Sequence, residues 1–339
     1  MKNTVLVTGG AGYIGSHMTK ILRESGYTVV VFDNLQRGNR DAIGDAELVV
    51  GDLGDRNALA KLFADRKIEA VLHFAALAYV GESVSSPDVY YRNNVVGTLN
   101  LIDAMCTHDV KRLVFSSTCA TYGVPASLPI TEKLLQTPIN PYGWTKLMVE
   151  QILRDYAHAY GLNSIALRYF NAAGSAADGS LGERHDPETH LIPLVLFEAM
   201  RMQQGGNADD TNLMVFGDDF DTPDGTCIRD YIHVTDLCSA HVKALERLQS
   251  NKNDGAEQFN LGTNSGVSVL EVIKACEQVT GVEIPYKMAP RRDGDPPELV
   301  ADASLAMGTL EWDPEFRDIK QSIQHAWNWF EAHPPDLGA

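Results

Sequence analysis

The chain has 339 residues and a formal net charge of −17, from 45 acidic and 28 basic side chains. Hydrophobic residues make up 44% and charged residues 22%, ordinary values that exclude an intrinsically disordered or collagen-like protein. Such an acidic surface repels phosphate backbones and anionic lipids, so we expect neither nucleic acid nor a membrane as partner. At about 150 residues per domain, the length predicts two domains.

Short apolar segments alternate with helix-like segments through the first half of the chain. The predicted strands are 5–7, 28–32, 47–50, 71–74, 113–115 and 164–167. The segments between them with helical spacing are 13–25, 57–63, 89–106 and 142–160. Apolar strands separated by helices predict an α/β fold with a Rossmann-type, doubly wound parallel sheet that is covered on both faces.

The second half has a different texture, with two loops rich in Gly, Pro and Asp at 172–187 and 218–225. Around these loops we predict a helix over 191–202, a short strand over 214–216 and a final helix over 319–330. Ser268 and Glu271 have capping-box spacing and predict the start of a helix that runs to Thr280. We therefore expect a nucleotide-type domain over 1–171 and a smaller domain over 172–339, with segments able to cross between them.

The cysteines and the first residues predict the cellular compartment. The cysteines are odd in number and never in C-x-x-C spacing: Cys106, Cys119, Cys227, Cys238 and Cys276. This pattern predicts free thiols in a reducing compartment and no metal site. Only residues 1–3 precede the first predicted strand. This start is too short for a signal peptide, so we expect a cytoplasmic protein.

A glycine-rich loop joins the first strand to the first helix. Gly9 permits a tight turn, Gly12 lets the backbone approach a pyrophosphate, and Gly15 lets the helix pack closely. The pyrophosphate then lies at the helix N-terminus, and Asp33 at the end of the second strand can bind a ribose 2′-hydroxyl. This carboxylate favours NAD over NADP, although the nearby Arg37 could accommodate a phosphate. A structural turn with a solvated aspartate is the alternative interpretation.

Tyr142 and Lys146 lie four residues apart, on one face of a predicted helix. A phenol with a pKa of about 10 is a poor base at neutral pH, but a nearby ammonium favours the phenolate. Such a tyrosine can take the proton from a substrate hydroxyl while a hydride leaves to NAD. Thr118, at the end of the strand over 113–115, can relay a hydrogen bond between the two oxygens. A surface pair on a helix is the alternative for this spacing taken by itself.

Several segments together resemble one known family over almost the whole chain. They are 8–15, 33–35, 73–76, 80–83, 115–118, 141–146, 168–171, 229–233 and 291–295. With them the chain resembles the extended short-chain dehydrogenase/reductases and, within that family, the UDP-glucose (UDP-galactose) 4-epimerases. The segments Arg-Asp-Tyr-Ile-His and Arg-Arg-Asp-Gly-Asp are specific to these epimerases.

The resemblance implies three sets of site residues and no metal. The catalytic set is Tyr142, Lys146 and Thr118. The NAD-binding set is Gly9, Gly12, Tyr13, Ile14, Gly15, Asp33, Asn34, Asp52, Leu53, Phe74, Ala75, Ala76, Asn93, Ser116, Tyr142, Lys146 and Tyr169. The UDP-sugar-binding set is Thr118, Tyr142, Phe170, Asn171, His190, Leu191, Met214, Val215, Phe216, Arg229, Tyr231, Arg292, Asp295 and Leu299.

The arginines also fit a diphosphate on chemical grounds, because guanidinium groups bind phosphates through two parallel hydrogen bonds. For Arg291 and Arg292 a solvated turn is the alternative. Three positions depart from the family pattern. Ala78 stands where many relatives carry a cofactor-contacting lysine, His190 replaces a UDP-binding asparagine, and Leu299 replaces a tyrosine that walls the sugar pocket.

The resemblance implies an isomerase of galactose metabolism that inverts C4 of UDP-galactose or UDP-glucose through a transient 4-keto sugar, and that forms a homodimer. UDP-pentose and UDP-N-acetylhexosamine 4-epimerases are alternatives within the family. A 4,6-dehydratase needs carboxyl groups after Thr118, where this chain has Cys119 and Ala120. A non-catalytic NAD sensor has no need for Thr118, Tyr142 and Lys146 together.

Overall fold

The computed structural model describes residues 3–252, 255–292 and 295–335. The predictions that involve Met1, Lys2, Asp293 and Gly294 lie outside the described residues. The strands are β1 (Thr4–Thr8), β2 (Thr28–Asp33), β3 (Glu47–Val50), β4 (Ala70–His73), β5 (Arg112–Ser116), β6 (Asn163–Tyr169), β7 (Asn171–Ala173), β8 (Met214–Phe216), β9 (Ile228–His233), β10 (Ala256–Leu261), β11 (Gly266–Ser268), β12 (Lys287–Ala289) and β13 (Glu298–Leu299). The α-helices are α1 (Tyr13–Glu24), α2 (Arg56–Ala64), α3 (Val80–Ser85), α4 (Pro87–Tyr90), α5 (Gly97–Thr107), α6 (Pro141–Tyr160), α7 (Leu191–Gln203), α8 (Val234–Gln249), α9 (Val269–Thr280), α10 (Ser304–Leu310) and α11 (Ile319–Ala332).

The larger part of the molecule is a seven-stranded sheet in the order β10-β6-β5-β4-β1-β2-β3. Every neighbouring pair in it is parallel. One face packs against α1 and α8, and the other packs against α2, α5 and α6. The strand order reverses at β1, so the crevice at the carboxyl ends of β1 and β4 is the place where ligands of such sheets bind. The predicted Rossmann-type fold is confirmed.

The edge strand β10 comes from the second half of the chain, and the sequence did not predict it. It pairs with β6 in parallel, Ala256 opposite Ser164 and Leu261 opposite Tyr169. The unpredicted helix α8 packs with α1 on one face of the same sheet. A segment of the second half therefore completes the first sheet, and the division at residue 171 stays a prediction.

The smaller region is built from short strands and three helices. β7 and β13 pair with β9 in parallel, and β11 pairs with it in antiparallel orientation. Helices α7, α9 and α11 form the core of this region together with β8. The predicted capping box is confirmed, because Ser268 accepts from the Glu271 amide while the Glu271 carboxylate accepts from the Ser268 amide. The predicted loop over 172–187 instead starts within β7.

The segment predicted as one helix over 89–106 is divided in three. Between α4 and α5 the residues Tyr91–Val96 form a π-helical turn. Such turns insert one extra residue per turn and are frequent at functional sites. All five cysteines are free thiols, as predicted. In the described part of the chain, no helix is both long and apolar enough to cross a membrane.

Candidate active site

A cleft of about 1560 Å³ lies between the carboxyl edge of the large sheet and the smaller region. Typical small-molecule sites have about 300–1,000 Å³, so this cleft can hold a dinucleotide and a second nucleotide together. Its walls contain every predicted site residue except Val215. The residues converge because parallel strands all end at the same edge of the sheet.

Val215 is the one predicted site residue that lies elsewhere. Its side chain is 1% exposed and packs in the core formed by α7, α9 and α11. Successive side chains of a strand point to opposite faces, so Met214 and Phe216 line the cleft while Val215 points away from it. The expectation of a contact between the Val215 side chain and substrate is therefore corrected.

The glycine loop lies against the cleft with no room for side chains at two positions. Gly9 has φ +71°, and a Cβ there would lie 2.5 Å from the Ala75 amide nitrogen. A Cβ at Gly15 would lie 2.1 Å from the Gly9 carbonyl oxygen. Helix α1 begins after Gly12 with no side chain capping it, so the amides of its first turn are available to a ligand. Free amides and the helix dipole suit a pyrophosphate.

Asp33 lies at the end of β2, beside this loop. Its Oδ2 accepts from the Ala11 amide at 3.0 Å and its Oδ1 accepts from the Leu35 amide at 2.8 Å. These bonds fix the carboxylate in the cleft wall, where its remaining lone pairs can accept from a ribose. Arg37 forms an ion pair with Glu82 at 3.0 Å and lies 4.8 Å from the Tyr79 ring centre. Because Arg37 is engaged in this way, the carboxylate decides the preference, which favours NAD.

The remaining predicted NAD residues extend along the same wall. Asn34 donates to Asp52 at 2.8 Å, and Ser116 and Tyr169 share a hydroxyl–hydroxyl bond of 2.6 Å. Asn93 lies on the π-helical turn and donates to Asn94 at 2.8 Å. The buried Asn94, which the sequence analysis missed, also donates to the Leu77 carbonyl and accepts from the Leu77 amide. This side chain ties the turn to the segment that follows β4.

Tyr142, Lys146 and Thr118 are brought together as predicted, and each is at least nine-tenths buried. Lys146 Nζ donates to the Ser116 carbonyl oxygen at 2.7 Å and lies 5.9 Å from the centre of the Tyr142 ring. Helix α6 begins at Pro141 with Asn140 as its cap, and this start positions Tyr142 in the first turn. The three side chains therefore form one group at the end of β5.

Burial sets the proton affinities of this group. It raises the pKa of Tyr142, against a hydrogen bond with Thr118 that lowers it. Burial lowers the pKa of Lys146 to about 7, although the Glu150 carboxylate raises it. Desolvation of the phenolate is therefore the dominant influence on the pKa of Tyr142.

A buried ion pair beneath α6 supports these residues and was not recognised in the sequence. Arg168 donates to Glu150 at 2.5 Å, and Ser117 donates to the same carboxylate at 2.6 Å. Arg168 also donates to the Tyr122 hydroxyl at 2.8 Å. The pair joins β5, β6 and α6, whose ends carry the catalytic group. Only the position of Arg168 next to Tyr169 in the chain pointed to it.

The predicted diphosphate-binding side chains form a separate group on the opposite wall. Arg292 donates to Asp295 at 2.8 Å and lies 5.1 Å from the Phe216 ring centre. Arg229, on β9, lies 3.7 Å from the other oxygen of Asp295. Asn171 donates to the Asp230 carbonyl at 3.1 Å. Two guanidinium groups on one carboxylate give this acidic chain a local positive site.

The sugar end of the cleft is lined by apolar side chains. Leu299 packs against a cluster that contains Cys119, Tyr122 and Phe170. Leu299, which stands where the resemblance places a tyrosine, therefore lies in the cleft wall beside the catalytic group. Tyr231 and Leu191 lie in the same cleft.

His190 belongs to a cluster that the sequence analysis did not identify. The loop before α7 brings together Glu183, His185, Glu188 and His190. All of them except Glu188 line the cleft. Glu183 Oε1 lies 2.8 Å from His185 Nδ1 and 2.9 Å from His190 Nδ1. Burial lowers the pKa of His190, but its hydrogen bonds with both carboxylates outweigh burial and raise the pKa to about 10. The Glu-x-His-x-x-Glu-x-His spacing was the available signal.

Comparisons with known proteins agree with this geometry. The model of the NAD dependent epimerase/dehydratase family matches residues 5–262. The chain is 49% identical to the UDP-glucose 4-epimerase of Halalkalibacterium halodurans, over 97% of this chain and 96% of that one. The UDP-glucose 4-epimerase of Brucella ovis, solved in complex with NAD, has a TM-score of 0.91 and 50% identity, over 97% of this chain and 98% of that one. The enzyme of the same name from Bifidobacterium longum, in complex with NAD+ and UDP, has a TM-score of 0.90 and 40% identity, over 98% and 99%.

Proposed function

The chain belongs to the NAD dependent epimerase/dehydratase family, and we propose that it interconverts UDP-galactose and UDP-glucose by inversion at C4. The observation that carries the proposal is the buried group of Thr118, Tyr142 and Lys146 between a dinucleotide groove and a pair of arginines. Relatives that match the chain over nearly its whole length have the same activity in their names.

The residues of the groove fit NAD. The uncapped start of α1 offers amides to the pyrophosphate, and Asp33 offers a carboxylate to the ribose. When bound there, NAD supplies a hydride acceptor and donor for C4 of the sugar, together with positive charge on its oxidised ring. The hydride that the cofactor accepts goes back to the sugar in the same turnover, so the cofactor ends in the oxidation state in which it began. We therefore expect it to stay bound through every turnover.

Tyr142 is the acid and base of the proposed reaction. Its phenolate would accept the proton of the sugar O4 hydroxyl as C4 loses its hydride to the cofactor, so that a 4-keto sugar forms. When the hydride returns to C4, the phenol would give the proton back to O4 of the inverted product. Thr118 holds the O4 hydroxyl next to Tyr142. Lys146 supplies the positive charge that favours the phenolate, and its bond to the Ser116 carbonyl keeps it in place.

The two arginines hold the diphosphate and leave the sugar less restrained. Arg229 and Arg292 would exchange part of their pairing with Asp295 for the phosphate oxygens, through charge-assisted hydrogen bonds. Binding energy from the nucleotide then retains the 4-keto sugar while the hexose turns about its link to the diphosphate.

We also propose that the protein is a cytoplasmic homodimer. Exposed apolar side chains lie on neighbouring helical segments of the large domain: Val84 on α3, Val89 on α4, Val96 on the π-helical turn, and Trp144 and Met148 on α6. A second copy of the chain can cover such a patch symmetrically. The free thiols are typical of a reducing compartment.

Turnover without added cofactor tests the proposal. Purified protein is incubated with UDP-galactose alone, and the product is identified by chromatography. We expect UDP-glucose to form, and denatured protein to release close to one NAD per chain. A preparation that is active only with added NADP would contradict the role of Asp33, and one that forms no UDP-glucose would contradict the reaction.

A further inference from the structure

Four side chains of the loop before α7 converge on one point beside the NAD groove. One ligand atom from each of Glu183, His185, Glu188 and His190 can be chosen so that all lie within 4.8 Å of one another. From this geometry we propose that the cluster binds a divalent transition-metal ion, with Zn²⁺ as the best fit to its ligands.

The distances within the cluster are close to those of a metal site. In a tetrahedral zinc site with bonds of about 2.1 Å, the ligand atoms lie about 3.4 Å apart. Here Glu183 Oε1 lies 2.8 and 2.9 Å from the Nδ1 atoms of His185 and His190, and Glu188 Oε2 lies 3.6 Å from His185 Nδ1. The two contacts of Glu183 would have to lengthen by about 0.5 Å to reach this spacing.

The ligand types favour zinc or a similar ion. Imidazole nitrogen suits zinc, nickel and copper, whereas magnesium and calcium take oxygen ligands. Two carboxylates balance the charge of one divalent cation while both imidazoles bind in the neutral form. The cation thus takes the place of the two protons that otherwise let both Nδ1 atoms donate to carboxylates.

The surroundings hold the ligands in place, as outer-shell groups do at metal sites. The Glu188 carboxylate accepts from the amides of Thr189 and His190 at 2.7 and 2.8 Å. Glu183 is 5% exposed, so its charge needs a partner that is itself held in the protein. The Tyr79 ring packs against both imidazoles, with centroids 6.1 and 6.4 Å away.

The position of the cluster suggests what the ion does. The Tyr13 ring, in the first turn of α1, contacts His185 with centroids 6.1 Å apart. Tyr79 donates to the Pro187 carbonyl at 2.9 Å. A bound ion therefore fixes the loop over 183–190 against both the glycine-loop side and the segment after β4. This metal site would be separate from the proposed epimerase reaction, whose steps use no metal ion.

Metal binding to the tag-free, NAD-containing protein tests the proposal. After chelator treatment and dialysis at pH 8, the protein is titrated with ZnCl₂ and CoCl₂. Bound metal is measured by mass spectrometry and by the visible absorption of Co²⁺. We expect one ion per chain and a melting temperature that rises with zinc concentration.

Two substitutions separate this site from adventitious binding. Glu183→Gln and His185→Gln should each weaken metal binding by at least about tenfold. His158→Gln removes an exposed histidine elsewhere and should leave binding unchanged. Circular dichroism and NAD content check that each variant is folded, and His185→Gln serves if Glu183→Gln does not fold. Substoichiometric binding by the unmodified protein, or equal binding by the variants and the control, would overturn the proposal.

Discussion

The two walls of the cleft offer different kinds of binding groups. On the proposed NAD side these are backbone amides and short side chains, such as Asp33, at the ends of strands in a seven-stranded sheet. On the proposed UDP side they are long side chains, such as Arg292, which is 60% exposed and paired with Asp295. The fold already positions the groups of the first wall, whereas those of the second would have to exchange internal ion pairs for a ligand. This difference suits a cofactor that stays and a substrate that leaves.

The largest effect should come from the catalytic group on the sheet side. Tyr142→Phe removes only the acid and base oxygen, so the turnover rate should fall about 10²–10⁴-fold. Binding of UDP measured by calorimetry should stay unchanged, because the arginines are untouched. Near-normal turnover by the variant would refute the proposed mechanism.

A substitution on the sugar wall should change selectivity more than rate. Leu299→Tyr adds a bulky ring beside Phe170, and in a hydrophobic pocket even one methylene can change discrimination by about 10–200-fold. We expect the unmodified protein to epimerise UDP-N-acetylglucosamine as well as UDP-glucose.

The Leu299→Tyr variant should lose activity on UDP-N-acetylglucosamine far more than activity on UDP-glucose, as measured by kcat/KM for each substrate. Equal loss of the two activities would show that Leu299 does not set the selectivity between the two sugars.

The arginine pair allows a matched test on the UDP side. Arg292→Gln should weaken UDP binding by about tenfold, since a charge-assisted hydrogen bond is worth about 1.5–3 kcal/mol and this side chain is well exposed. Arg291→Gln is the control, because Arg291 pairs with Asp219 and packs on Phe220 instead. The amount of NAD that copurifies should be the same in both variants. Coupled loss of NAD would mean that the two walls do not act independently.

The smallest expected effect is a change in the pH profile. Lys146 has a pKa lowered to about 7 by burial, so it is charged below that pH and favours the Tyr142 phenolate there. Lys146→Met removes the charge and should move the pH optimum of kcat upward by about one unit. Activity should be lost most at and below pH 7 and partly recovered in alkaline solution. An unshifted profile would assign Lys146 a positioning role only.

The NAD side of the cleft, with its backbone amides and strand ends, was easier to predict than the UDP side. The strand Glu47–Val50 of the large sheet was predicted with the bounds that it has in the structure. The glycine loop and Asp33 could be recognised because a tight turn and a helix start need particular residues within a few positions. Arg292 and His190 could be named, but not their pairing with Asp295 and with Glu183 and Glu188, since the fold of a loop decides whether its charged side chains meet.

By itself, the sequence determined the parallel sheet, the glycine loop, and the spacing of Tyr142 and Lys146, all of which follow from short-range periodicity and local sterics. Only the tertiary structure decided that β10 joins β6 and that Val215 points into the core. The physical reason is distance along the chain. Strand pairing and side-chain clusters depend on which surfaces meet when separate segments pack, and no local pattern specifies the partner.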